Sequence, residues 1–147
     1  MSEGRDTPAE LERAIERYND AWNAHDLDTI ISMHAPDMTF ANHTAGESAQ
    51  GEEVRAHIAS IFETWPDIRF DTQRLYVRDG LVAQEWIATA THNKTMRRGD
   101  LVAEPTGRQV QWAGADVIPF ENGLVKRKDV YSDSVTILRE TGLLGVS

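Results

Sequence analysis

Apolar side chains recur every three or four residues over the first part of the chain, and every second residue beyond position 67. Leu11, Ala14, Ile15, Tyr18, Ala21 and Trp22 form one stripe at helical spacing. Ahead of it, Thr7-Pro8-Ala9-Glu10 reads as a helix start, with a threonine cap, a proline in the first turn and a glutamate three residues after the cap. This helix should stop near Ala24 and His25. Asp26 can cap a second, shorter helix with Leu27, Ile30, Ile31 and Met33 facing inward, and Pro36 ends it. Residues 38–42 read as a short strand, 44–51 as a Gly/Ser-rich loop and 52–62 as a third helix with Val54, Ile58, Ile61 and Phe62 inward.

After Trp65-Pro66-Asp67 the period becomes two. Residues 68–77, 81–93, 110–120 and 124–132 read as strands, joined by Arg78-Asp79-Gly80, a long loop over 94–107, and Glu121-Asn122-Gly123. Asp133 or Ser134 caps a last short helix through Arg139, with Gly142 just past its end. Helices first and long antiparallel strands later predict an α+β fold, with helices packed on one face of a curved sheet. The 147 residues read as one domain, 1–147, with 1–6 as a disordered tail.

Composition narrows the function classes. A net charge of −9 argues against a nucleic-acid partner, which needs clustered Lys and Arg. The basic run Lys126-Arg127-Lys128 is short, lies inside a strand and reads as a solvated edge. With no cysteine there is neither a disulfide framework nor a thiolate. No apolar run approaches the ~20 residues that span a bilayer, and the polar start lacks a signal-peptide core, which points to a cytoplasmic protein without a membrane partner. His25, His34, His43 and His57 show no ligand spacing, so no metal site is expected, and no nucleotide or cofactor motif is present.

The candidate chemistry lies in the last hairpin. Val110, Trp112, Gly114, Asp116, Ile118 and Phe120 share one strand face, so Asp116 points to the buried side, an expensive place for an unpaired carboxylate. If Asn122-Gly123 forms a two-residue type I′ turn, Asp129 stands directly opposite Asp116. Two carboxylates at cross-strand range cannot both ionise cheaply, so one of them should titrate high. A three-residue loop with a bulge at Gly123 would instead turn Asp129 to the other face. The residues permit both registers. Against the acid/base reading stands a plainer one, in which Asp129 pairs with Arg127 or Lys128 and Asp116 binds water.

The element order resembles that of the nuclear transport factor 2-like superfamily. So do ERYNDAWNAHDLDTIISMHAPDMTF near the start and PTGRQVQWAGADVIPFENGLVKRKDVYSDSVTILRETGLL near the end. Within the superfamily the chain is similar to the SnoaL-like polyketide cyclases over nearly its whole length. The resemblance implies a cone-shaped α+β barrel with a mostly apolar pocket at its mouth. It also implies a type I′ register in which both aspartates face that pocket. SnoaL-like cyclases use a late-strand aspartate as acid/base in an aldol closure, and Asp129 occupies that place. Limonene epoxide hydrolases share Asp129 and Asn42, but Trp86 and Ala88 stand where their Arg and Asp would be. Ketosteroid isomerases share Tyr18 and Asp116 as oxyanion donors, but Asn42 replaces their base.

Three catalytic candidates result: Asp129 as base, with Tyr18 and Asp116 as donors to an enolate. The same resemblance makes Asn42, Trp86, His92, Trp112 and Tyr131 substrate-binding candidates. Each has a plainer reading: Trp86 as pocket wall, His92 as a solvated strand end, Tyr18 as a buried hydroxyl with a partner, Asn42 as a strand end. The expected function is a cofactor-independent acid/base enzyme acting on a small apolar carbonyl compound, by aldol-type cyclisation or isomerisation. Its rival is a non-catalytic small-molecule-binding or dimerisation module. The apolar face Gln111, Ala113, Ala115, Val117 and Pro119 adds the expectation of a homodimer.

Overall fold

The computed structural model describes residues 6–144. Helix α1 (Pro8–Asn23) starts as its capping box dictates: the Thr7 hydroxyl accepts from Glu10 N–H, and the Glu10 carboxylate accepts from Thr7 N–H. Its stripe of Leu11, Ile15, Tyr18 and Trp22 is buried. Helix α2 (Leu27–Ser32) is capped by Asp26. It stops before Pro36, because β1 (His34–Asn42) already begins at His34. The expected loop beyond it contains a short strand, β2 (Glu47–Gln50), which only Ala49 anchors inward.

Helix α3 (Glu53–Thr64) is followed by β3 (Arg69–Arg78), β4 (Leu81–Thr91), a small separate hairpin of β5 (Met96–Arg98) and β6 (Leu101–Ala103), then β7 (Gln109–Glu121), β8 (Leu124–Ser132) and α4 (Ser134–Glu140). Six strands form one open sheet in the order β2-β1-β8-β7-β4-β3, with only the β1–β8 pair parallel. This is the mixed α+β architecture that the residue pattern predicts. One face of the sheet carries the core, built from Val82, Trp86, Val110, Ile118 and their neighbours against α1 and α3. Two polar clips set α1 on the sheet. Asn23 exchanges both of its amide hydrogen bonds with the Phe70 backbone, and Asn19 pairs with Gln84 of β4.

Residues 1–5 of the expected tail lie outside the described residues. Asp6, the last of that tail, is held: its carboxylate accepts from Gly123 N–H at 2.9 Å and its carbonyl from Gly80 N–H at 3.0 Å.

The β7–β8 hairpin departs from its expected register. The turn is type I′, with Asn122 at φ 55° and Gly123 at φ 77°, and Glu121 and Phe120 face Leu124 and Val125. Pairing then breaks and resumes with Val117 opposite Asp129 and Asp116 opposite Val130. Two β7 residues therefore face three on β8, Lys126 to Lys128, which is a bulge. The β1–β8 ladder is irregular over the same stretch, between His34 and Thr39. Pro36 on one side and Pro119 on the other have no N–H to offer a ladder there. The consequence is a one-residue rotation. Lys128 turns into the core face and Asp129 turns out.

Candidate functional site

A cavity of about 500 Å³ opens between α1, α3, the β5–β6 hairpin and the inner face of the sheet. Sheet register builds its floor. Gln84 faces Asp116, Asp116 faces Val130, Val130 faces Asn42 and Asn42 faces Glu47, so one row crosses five strands. The next row places Trp86 opposite Gly114, where a Cβ would fall inside the indole. Glycine at 114 therefore makes room for the Trp86 indole against the floor. Trp22, Trp65 and Trp112 add aromatic wall, but polar side chains such as Asn19, His57, Thr72 and Arg98 share the lining, so the pocket is more mixed than the mostly apolar one expected.

Of the carboxylates that line this cavity, Asp116 is the buried one, Glu47 and Glu63 being exposed at its rim. Asp116 is 3% exposed. Its Oδ2 accepts from Gln84 Nε2 at 3.0 Å, while its Oδ1 is buried with no partner. Gln84 is held in turn by Asn19, Nδ2 to Oε1 at 2.8 Å and Nε2 to Oδ1 at 3.1 Å, which fixes which way the amide points. Lys128 Nζ lies 3.9 Å from Asp116 Oδ2. It also lies 4.0 Å from the Trp22 ring centre, 4.9 Å from that of Tyr18 and 5.5 Å from that of Phe40. Burial pulls the Lys128 amine below its ordinary value, and the Asp116 charge opposes that.

Asp116, Asn42, Trp86 and Trp112 thus line the cavity as the sequence reading places them. The expected Asp116–Asp129 pair does not form. Asp129 sits on the opposite face of the sheet, where its carboxylate accepts from Arg127 Nε at 2.8 and 3.0 Å and lies 2.7 Å from His43 Nε2. Burial pushes its carboxyl up, but the bonds from Arg127 and His43 outweigh that and hold it below the usual aspartate range. The two carboxylates stand on opposite faces of the sheet, and the plainer reading with Arg127 describes Asp129.

Tyr18 is buried behind the wall, its hydroxyl 2.8 Å from His34 Nε2, so its hydroxyl serves His34 and does not line the cavity. His92 is fully buried rather than solvated, with Nδ1 held by Thr106 and the ring against Trp65, outside the lining. Tyr131 is exposed on the outer face, stacked on His43. Lys128, Asn19, His57, Arg97 and Arg98 are among the lining groups that the residue pattern did not single out. Gln84 lines the cavity too, on the inward face of β4 that it shares with Val82 and Trp86. Among the described residues no cluster of three or more His, Asp or Glu is placed to hold a metal ion.

Residues 15–128 match the family model of the SnoaL-like domain. The chain belongs to the SnoaL-like family. Solved structures agree on the fold. AclR of Streptomyces galilaeus, a candidate hydroxylase, superposes with a TM-score of 0.82 at 21% identity, covering 95% of this chain and 89% of that one. A candidate SnoaL-like polyketide cyclase from Jannaschia sp. CCS1 gives 0.82 at 16% identity, with 94% and 95% covered. IdmH of Streptomyces antibioticus, a candidate polyketide cyclase, gives 0.74 at 24% identity, with 89% and 97% covered. No curated protein matches the chain. The sheet is the curved, mainly antiparallel one of the nuclear transport factor 2-like cone, left open at its β2 and β3 edges.

Proposed function

We propose that the protein is an acid/base enzyme of the SnoaL-like polyketide cyclase type, acting on a small, largely apolar carbonyl compound by aldol-type cyclisation or isomerisation. The observation that carries this reading is Asp116: a buried carboxylate on the cavity wall with one oxygen locked by Gln84 and the other free of partners. An aligned carboxylate of this kind removes a proton next to a carbonyl, and the base role moves to it from Asp129. Negative charge then develops on the carbonyl oxygen, and Lys128, whose Nζ lies 3.9 Å from Asp116, is the buried basic group on this wall that can offset it. Tryptophan walls suit an apolar substrate body, and Asn42 can orient a substrate oxygen at the far end of the row.

The test is exchange of substrate α-protons in D₂O over a panel of apolar and cyclisable ketones. Asp116→Asn should lower the rate by about 10²–10⁴-fold while ligand quenching of tryptophan fluorescence persists, since asparagine preserves volume. Asp129→Asn should retain the wild-type rate. An equal rate in Asp116→Asn would overturn the assignment, and ketones that bind without any exchange would establish the binding-module reading instead.

A further inference from the structure

Lys128 is 6% exposed and lines the cavity, whereas Lys94 and Lys126, the other lysines of the chain, are exposed. A lysine buried for stability alone would have its donors satisfied. Among the described residues Lys128 Nζ donates no hydrogen bond, and its nearest carboxylate oxygen, Asp116 Oδ2, is at 3.9 Å. An ammonium there finds no protein acceptor within hydrogen-bond range and depends on solvent in the cavity, while a neutral amine costs less and is a nucleophile. Burial favours the amine in this position. Three aromatic faces and one carboxylate still surround the nitrogen, so a cation formed there later is not abandoned.

We propose that Lys128 is a covalent catalytic residue, its Nζ condensing with the substrate carbonyl to form a Schiff base beside Asp116. This rests on the acid/base reading above and names how the carbonyl is activated. The Nζ lone pair forms a C–N bond as the C=O π pair moves to oxygen, which takes a proton. The hydroxyl then leaves as water with a second proton, and an iminium remains. Its positive charge occupies the position of the ammonium, over Trp22 and next to Asp116. The Asp116 carboxylate takes the α-proton, and the C–H electron pair forms the enamine double bond while the C=N pair returns to nitrogen. The enamine carbon attacks a second carbonyl of the same molecule for a ring closure, or is reprotonated at another carbon for an isomerisation. Water then adds to the regenerated iminium and releases Lys128. No oxidant or reductant is consumed.

Reductive trapping tests this on the full chain, with hexanal and cyclohexanone as probes and sodium cyanoborohydride as reductant. The adduct is located by peptide mass mapping. Lys128 should carry about tenfold more label than Lys94 or Lys126. Lys128→Met should lose that label, and Lys128→Arg, which is basic but cannot condense, should lower α-proton exchange by about 10²-fold. Circular dichroism checks that both variants are folded, and the wild-type labelling pattern stands whether or not they are. Label spread evenly over the three lysines, or none on Lys128, would overturn the covalent step. If Lys128 stays unlabelled while Asp116→Asn still abolishes exchange, the acid/base reading stands alone. If neither effect appears, both fall.

Discussion

At positions 128 and 129 a lysine under three aromatic rings is followed by an aspartate clamped between Arg127 and His43 on the other side of the sheet. Which of the two turns inward decides what chemistry the cavity holds, and a one-residue slip is enough to exchange them. Once protonated, Lys128 also acts on His34. Burial first, and then Lys128, push the His34 imidazole down to about 3 from 6.5. Tyr18, whose hydroxyl burial holds above its usual range, donates to the neutral ring at Nε2. The unfolded chain takes up this proton below about 6.5 and the folded chain does not until about 3, so stability present above pH 6.5 is lost progressively as pH falls through that window. Between pH 7 and pH 4.5 this single group should cost about 2–3 kcal/mol. Urea unfolding at both pH values should show the gap reduced by that amount in His34→Gln, whose amide oxygen still accepts from Tyr18. An unchanged gap would mean that His34 is protonated in the fold.

Elements were legible wherever a period ran long enough. The capping box and stripe of α1, and the alternation of β4, β7 and β8, lie where the pattern places them, because each buries one continuous apolar face. Strand β2 was not legible, since Glu47, Ser48 and Gln50 are all exposed and a single buried alanine cannot signal a strand. The bulge in β8 was hidden for a different reason. Asn122-Gly123 correctly announces the turn, but nothing in Lys126-Arg127-Lys128 shows that pairing fails between the two prolines of its neighbours. A basic run reads as solvated, so Lys128 passed as surface. The fold was therefore readable, and half of the site was not. Gly114 offers a test at this scale, because its lack of a Cβ is what lets Trp86 of the paired strand lie against β7. Gly114→Ala should displace the indole at a cost of about 1–3 kcal/mol, as overpacking does. It should also shift tryptophan emission and weaken apolar-ligand binding. Equal denaturation midpoints and an unmoved emission spectrum would show that the floor yields without strain.

At the scale of the molecule, the two faces of the sheet have different tasks. The inner face is committed to core and cavity. The outer face presents Ala113, Ala115, Val117 and Tyr131, with Tyr76 of β3 nearby, and no helix among the described residues covers it. Val117 is 38% exposed, Tyr131 49% and Tyr76 53%, a grouping of apolar surface on a flat sheet that water does not favour. We propose that this face pairs with the same face of a second copy, a self-complementary arrangement that two-fold symmetry closes. A stable pair of this kind buries roughly 800 Å² per partner, which a six-stranded face can supply. The Arg127–Asp129–His43 cluster lies on this same face, so its charges are paired within each copy before any contact is made. Sedimentation equilibrium at micromolar concentration should therefore give twice the 16.5 kDa chain mass. Val117→Lys places a charge at the centre of the apolar row without touching the cavity, and should shift the species toward monomer while Asp116-dependent exchange persists. A wild-type monomer under these conditions would remove the claim, and a dimer that survives Val117→Lys would move the interface away from this face.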